Sequence, residues 1–97
     1  MQYFSKKFSR INLNDMSFMF CGCSSLKKLN LFKFNTNNVT NMYRIFYGCE
    51  SLKKLNHNNF NTNNVTDMRY MFSGCLDELK LKIKSQFKNF KEEAFEN

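Results

Sequence analysis

No stretch of about 20 apolar residues occurs in this chain, so no part of it reads as a membrane-spanning helix. The opening residues, MQYFSKKFSR, also lack the apolar core and small-residue cleavage site of a secretory signal. The expected location is the cytoplasm, or the cell surface or exterior if the chain is a fragment of a longer exported protein. Proline is absent, while asparagine, lysine and phenylalanine are abundant. That bias fits an AT-rich coding sequence and carries little functional weight. Histidine occurs once, and no CxxC pair occurs. A zinc site needs four ligands converging on a tetrahedron, usually from paired close-spaced motifs, so no metal and no cofactor are expected. Acidic residues are scarce over most of the chain. Residues 1–75 hold three Asp/Glu against ten Lys/Arg, and residues 76–97 hold five of each, which together give the formal charge of +7. The excess can attract an anionic partner, or it can simply keep a lysine-rich chain in solution.

What the chain does contain is its own copy. Residues 15–40, DMSFMFCGCSSLKKLNLFKFNTNNVT, align without a gap with residues 41–66, NMYRIFYGCESLKKLNHNNFNTNNVT. A third copy begins at Asp67 with DMRYMFSGC. A fixed period of this length, 26 residues here, is the mark of a solenoid, in which each turn covers the apolar face of its neighbour. The expected divisions are a degenerate first repeat over 1–14, repeats over 15–40 and 41–66, a partial repeat over 67–76, and a different C-terminal segment over 77–97. In the first segment Phe8 and Leu13 keep the phase of Phe34 and Val39, but Ser5 stands where an apolar residue is due. That edge is poorly covered, which suggests truncation or a missing N-terminal cap.

Within each period, Leu13, Met16, Met19 and Phe20 correspond to Val39, Met42, Ile45 and Phe46, and to Val65, Met68, Met71 and Phe72. Spacing i, i+3, i+6, i+7 predicts a short helix with all four on one side. Asn38 or Thr40, and Asn64 or Thr66, are candidate N-caps, and Gly22, Gly48 and Gly74 are candidate stops. The positions that differ between copies (Ser17, Tyr43 and Arg69; Phe18, Arg44 and Tyr70) fall on the outer face. Leu29 and Leu31, like Leu55 and His57, alternate with Lys28, Asn30, Lys54 and Asn56, which predicts strands. The NTNN segments that follow are turn chemistry, because Asn tolerates left-handed angles and bonds its own main chain. The expected core is Met16, Phe20, Cys23, Leu26, Leu29, Phe34, Val39, Met42, Phe46, Cys49, Leu52, Leu55, Phe60, Val65, Met68, Phe72 and Cys75.

The pattern LxxLxL…F…NTNNVTxMxxMFxGC, over about residues 8–75, resembles the repeat of the BspA-like leucine-rich repeat family of bacterial and protist surface proteins. The resemblance implies an α/β repeat fold, a short leucine-rich-repeat-like solenoid with a parallel sheet on its inner face and short helices on the other. It also implies protein–protein binding or cell-surface adhesion without catalysis, through the concave sheet face or the outer helix face. On that architecture, Lys28 beside Lys54, Asn30 beside Asn56 and Phe32 beside Asn58 form a candidate concave binding face. Stacked like charges repel, and an anionic or carbonyl-rich ligand would relieve them; the alternative is lysine splayed into water. A protein or acidic macromolecule is the expected partner. Nucleic acid is not, because no aromatic residues interleave with the basic ones. The other functional reading is an intracellular scaffold or spacer within a longer array.

Past Cys75 the repeat fails. Leu76, Leu79, Ile83, Phe87, Phe90 and Ala94 recur at three- and four-residue spacing, which predicts an amphipathic helix from about 77 to 95 that caps the last open turn. The rival is a third strand, since Leu79, Leu81 and Ile83 alternate with Lys80, Lys82 and Lys84. Cys23, Cys49 and Cys75 recur in phase and are expected to stack as a column of thiols, reduced or bridged. An enzyme is not expected: a Cys49–His57 hydrolase lacks a third group to orient the ring. Asn38-Val39-Thr40 and Asn64-Val65-Thr66 match glycosylation acceptors, but the repeat itself explains them.

Overall fold

The computed structural model describes residues 13–31, 34–56, 60–87 and 89–97. Phe32, His57 and Asn58, and the degenerate first repeat up to residue 12, lie outside the described residues. The fold is small and α/β, and the described residues form two parallel strands, one α-helix and one 3-10 helix in the order β1 (Lys28–Asn30), β2 (Lys54–Asn56), α1 (Asp77–Gln86), then Glu92–Phe95. Alternating leucine and polar residues make each strand two-faced, and β1 pairs with β2 in the register Lys28 with Lys54, Leu29 with Leu55, and Asn30 with Asn56. Two isolated parallel bridges, Asp15 with Asn41 and Asn41 with Asp67, keep the same 26-residue offset.

The segments expected to be short helices are not helical. Residues 16–23 and 42–49 run instead as successive turns, closed by bonds from Met19 N–H to the Met16 carbonyl, Cys21 to Phe18 and Cys23 to Phe20, and likewise from Ile45 to Met42, Tyr47 to Arg44 and Cys49 to Phe46. The intervening N–H groups point sideways: Met16, Phe18, Phe20 and Gly22 donate to the carbonyls of Asn41, Tyr43, Ile45 and Tyr47. A donor already engaged by the neighbouring segment cannot close the i to i−4 ring that an α-helix needs. Apolar spacing therefore located the buried side correctly and misidentified the backbone that presents it.

The interior follows from the same offset. Phe20, Phe46 and Phe72 are all fully buried, with ring centroids 5.8 Å apart for the first pair and 5.3 Å for the second, both stacked. Met16, Met42 and Met68, and Val39 and Val65, are buried at equivalent positions, with Leu29, Phe34, Leu52 and Phe60 around them. Cys23, Leu26 and Leu55 pack against this core but are only partly buried. Leu31, Ile45 and Met71 are buried as well.

Turn chemistry follows the sequence closely. Asn35 Oδ1 accepts from the N–H of Asn37, and Asn61 Oδ1 from that of Asn63. Across the segments, the Asn61 side-chain amide donates to Asn37 Oδ1 at 3.0 Å and that of Asn64 to the Asn37 carbonyl at 2.6 Å. Thr36 and Thr62 are buried. The Thr36 hydroxyl accepts from Asn61 N–H at 2.7 Å and also lies 3.0 Å from the Asn61 carbonyl, to which it donates. These contacts satisfy peptide groups that would otherwise be stranded beside the core.

The C-terminal segment is helical where the strand alternative put a third strand, but α1 ends at Gln86 instead of continuing toward residue 95. Phe87 is extended, and the chain returns through Glu92–Phe95 to lie against the last turn segment. Tyr70 and Phe72 donate to the carbonyls of Glu93 and Ala94, and Phe95 stacks on Phe72 with centroids 5.4 Å apart. Phe95 thus extends the phenylalanine column, while Leu79 and Ile83 of α1 are buried against the core. A straight helix to residue 95 would point the unpaired carbonyls of its last turn along its own axis; the break after Gln86 instead lets Glu93 and Ala94 lie against Tyr70 and Phe72.

Candidate functional site

The strand face carries the first candidate. Lys28, Asn30, Lys54 and Asn56 are all exposed, whereas Leu29 between them is buried and Leu55 half-buried. Register places Lys28 directly beside Lys54, and Asn30 beside Asn56. Phe32 and Asn58, the remaining members of this candidate face, fall outside the described residues. Beyond β2, α1 forms the far wall of a groove lined by Lys53, Lys54, Leu55, Lys82 and Ile83, among others. Among the described residues, no carboxylate lines it. The face is an array of paired cations and amides on a fixed backbone, suited to anions and carbonyls.

The cysteines form the second candidate. All four are free thiols. Cys49 and Cys75 are buried, and their Sγ atoms donate to the carbonyls of Phe20 and Phe46 at 3.2 and 3.3 Å. Each thiol thus satisfies a carbonyl of the preceding segment inside the core. Burial, with a further contribution from the neighbouring Cys75 thiol, pushes Cys49 up to about 12, and burial pushes Cys75 up to about 11. A nucleophilic cysteine needs the opposite shift. The partner that a hydrolase would need, His57, lies outside the described residues. Among the described residues, no group of three or more His, Cys, Asp or Glu could hold a metal ion. No described helix is long and apolar enough to cross a membrane.

A pH dependence follows. Both folded-state values lie above that of an unfolded thiol, so the thiols contribute their full stability below about pH 9 and lose it as pH rises through the folded values. The melting temperature is expected to fall more steeply above pH 9 for the wild type than for a Cys49→Ala/Cys75→Ala variant. In the folded protein at neutral pH, iodoacetamide is expected to label Cys21 and Cys23 before Cys49 and Cys75, as read by mass spectrometry of the digested protein.

A third group lies on the outer face, which the sequence offers as the alternative binding face without singling out a site on it. Turns over 16–23 and their equivalents place Phe18, Tyr43, Arg44, Tyr47, Arg69 and Tyr70 together on the outside. The Arg44 guanidinium lies over the rings of Tyr43, Tyr47 and Tyr70, at 5.1, 4.8 and 5.4 Å from their centroids. Phe18 meets Tyr43 edge-on at 5.3 Å, and Tyr43 meets Tyr70 at 6.1 Å. Arg69 also lies over Tyr43, at 4.8 Å, and is bound through Nε and Nη2 to both oxygens of Asp67 at 3.0 and 2.8 Å. That hydrogen-bonded pair holds the Asp67 carboxyl below its ordinary value and raises Arg69. The signal that could have revealed this cluster is the one that marked the outer face: positions where otherwise identical copies differ.

Two kinds of comparison return nothing: no curated protein matches the chain, and no solved structure does. One family model matches residues 3–95, nearly the whole length, and its description is a Mycoplasma protein of unknown function, DUF285.

Proposed function

We propose, starting from the fact that the chain belongs to the DUF285 family, that it is a non-catalytic interaction module built as a short leucine-rich-repeat-like solenoid of the BspA-like kind. Its strand face would bind a protein or acidic macromolecule, in an adhesive role if the protein is displayed at a cell surface. Support for the architecture comes from the 26-residue offset, which recurs in the strand register, the isolated bridges and the phenylalanine stack. The observation that carries the binding reading is the exposed, register-matched pairing of Lys28 with Lys54. Like charges directly opposite on parallel strands destabilise a sheet, so folding alone does not favour them. An anionic partner does.

Lys54→Glu separates the two contributions. It replaces a repelling cross-strand pair with an attracting one, which is expected to raise stability by about 0.2–1 kcal/mol in urea denaturation. Binding to immobilised host matrix proteins, measured by surface plasmon resonance at low salt, is expected to fall at least tenfold for Lys54→Glu and further for Lys28→Glu/Lys54→Glu. Binding that is unchanged in the double variant would remove the strand face from the mechanism. If the wild type binds none of these proteins, the adhesive role goes with it and the spacer reading stands.

A further inference from the structure

Left-handed backbone recurs at two positions in each of the three turn segments. One is glycine in every case: Gly22, Gly48 and Gly74, with φ between 75° and 79°. The other is held by Phe18, Arg44 and Tyr70, with φ of 61°, 54° and 58°. Glycine or asparagine adopts this conformation readily and bulky side chains do so at a cost, yet this chain places an aromatic ring or an arginine there every time. Strain retained at bulky, outward-facing residues points to a use for the side chains themselves.

Their surroundings indicate what that use is. Phe18 and Tyr47 are, with Leu81 of α1, the large hydrophobic residues left exposed among the described residues. Among those residues Arg44 has no ion-pair partner, and its Nε is buried without a hydrogen-bond partner. Arg69 is already neutralised by Asp67. The other carboxylates of residues 1–75 are those of Asp15 and Glu50. Tyrosine and arginine are the side chains most enriched where proteins bind one another, because they supply rigid area and directed charge with little ordering cost.

We propose that this turn face is a docking site for an acidic segment of another protein, a carboxylate on the free edge of the Arg44 guanidinium and an adjacent apolar side chain against Phe18 and Tyr47. Charge complementarity selects this occupant: an unneutralised cation lies at the centre of the patch, on a part of the chain with a large positive excess. A sugar is the poorer fit. Guanidinium groups already lie over the rings of Tyr43, Tyr47 and Tyr70, and the carboxylates nearby are engaged, Asp67 by Arg69 and Glu93 by the N–H of Met68.

The chain itself provides a probe. It has no tryptophan and four tyrosines, three of which are Tyr43, Tyr47 and Tyr70. Tyrosine fluorescence therefore reports mainly on this face. Titration with the capped peptide Asp-Glu-Leu-Asp-Glu-Leu is expected to give a saturable change that weakens at least tenfold for the Asn/Gln version of the peptide. Arg44→Gln and Tyr47→Ala are each expected to weaken it at least fivefold with the fold intact by circular dichroism. Tyr47 is not at a left-handed position, so its variant keeps the test valid should Arg44→Gln fail to fold. Lys28→Glu/Lys54→Glu is expected to leave the response within twofold, which separates this site from the strand face. Equal binding of the amide peptide, or binding that survives Tyr47→Ala, overturns the proposal. So does a response confined to a sulfated oligosaccharide, or concentration-dependent self-association in sedimentation that Arg44→Gln or Tyr47→Ala abolishes.

Discussion

Phe46→Ala is expected to remove about half of the protein's folding stability. The ring is fully buried and stacked on both faces, against Phe20 at 5.8 Å and Phe72 at 5.3 Å, with Phe60 tilted beside it at 6.4 Å. Truncating a buried phenylalanine costs about 3–5 kcal/mol from lost transfer free energy and the cavity left behind. The lost ring–ring contacts belong to the same total and place this site toward its upper end. A domain of this size has about 5–10 kcal/mol of total stability. Little room exists for relaxation, because the rings on either side are anchored by their own turn segments. Phe95→Ala is the comparison. It removes a ring stacked on one neighbouring segment only and half-buried, so about half the loss is expected. Urea denaturation of the two variants checks both values. Equal losses would show that the column is not the unit of stability described here.

Gly74→Ala is expected to be the second most damaging change, and its size relative to two siblings is the stronger test. All three glycines have φ near +75°, where an alanine Cβ is strained by about 1–2 kcal/mol wherever it sits. What differs is the space. An added Cβ at Gly74 would lie 3.3 Å from both the N and Cα of Gly48, main-chain atoms that cannot swing aside. At Gly48 the nearest atom is Gly22 Cα, at 3.6 Å, an ordinary contact. At Gly22 nothing lies within 4 Å. Expected losses are therefore about 1–2 kcal/mol for Gly22→Ala and Gly48→Ala, and about 2–3 kcal/mol for Gly74→Ala, where a strained contact is added to strained dihedrals. If Gly22→Ala proved as costly as Gly74→Ala, the close approach of successive glycines would be irrelevant and only φ would matter.

The two tests probe features with different histories in the sequence. Phe20, Phe46 and Phe72 were recognisable as neighbours because an unbroken offset left no other arrangement that buries all three. The glycines were recognisable as stops at a common phase, but they end turns, not helices. The reason is a competition for backbone donors. Alternate N–H groups of the first two turn segments bond to the segment 25 residues on, for example Phe20 to Ile45 and Phe46 to Met71, and those of the third bond to Glu93 and Ala94. Apolar spacing carries no information about where an amide proton points, so helix and turn look alike in the sequence when both bury the same side chains. The C-terminal end shows the same limit. The stripe from Leu76 to Ala94 marked the residues that meet the core, but not the break after Gln86 that lets Glu93 and Ala94 offer their carbonyls to Tyr70 and Phe72.

The candidate sites divide along similar lines. Lys28 and Lys54 were readable from strand alternation and offset, since both conditions are local or periodic. The cluster around Arg44 was readable only as a set of variable outer positions, because it joins residues from three copies, three of them at positions whose left-handed conformation only the turns impose.

By itself, then, the sequence determined the offset, most of the buried residues, the alternation of the strands and the bonding habits of the asparagine turns. Each of these is a local preference or a count along the chain. Tertiary structure alone decided that the methionine-rich segments are turns, that the last helix stops early, and that an arginine rests among three tyrosines. Those outcomes depend on which backbone groups neighbouring segments claim, and that is settled only when the segments lie side by side.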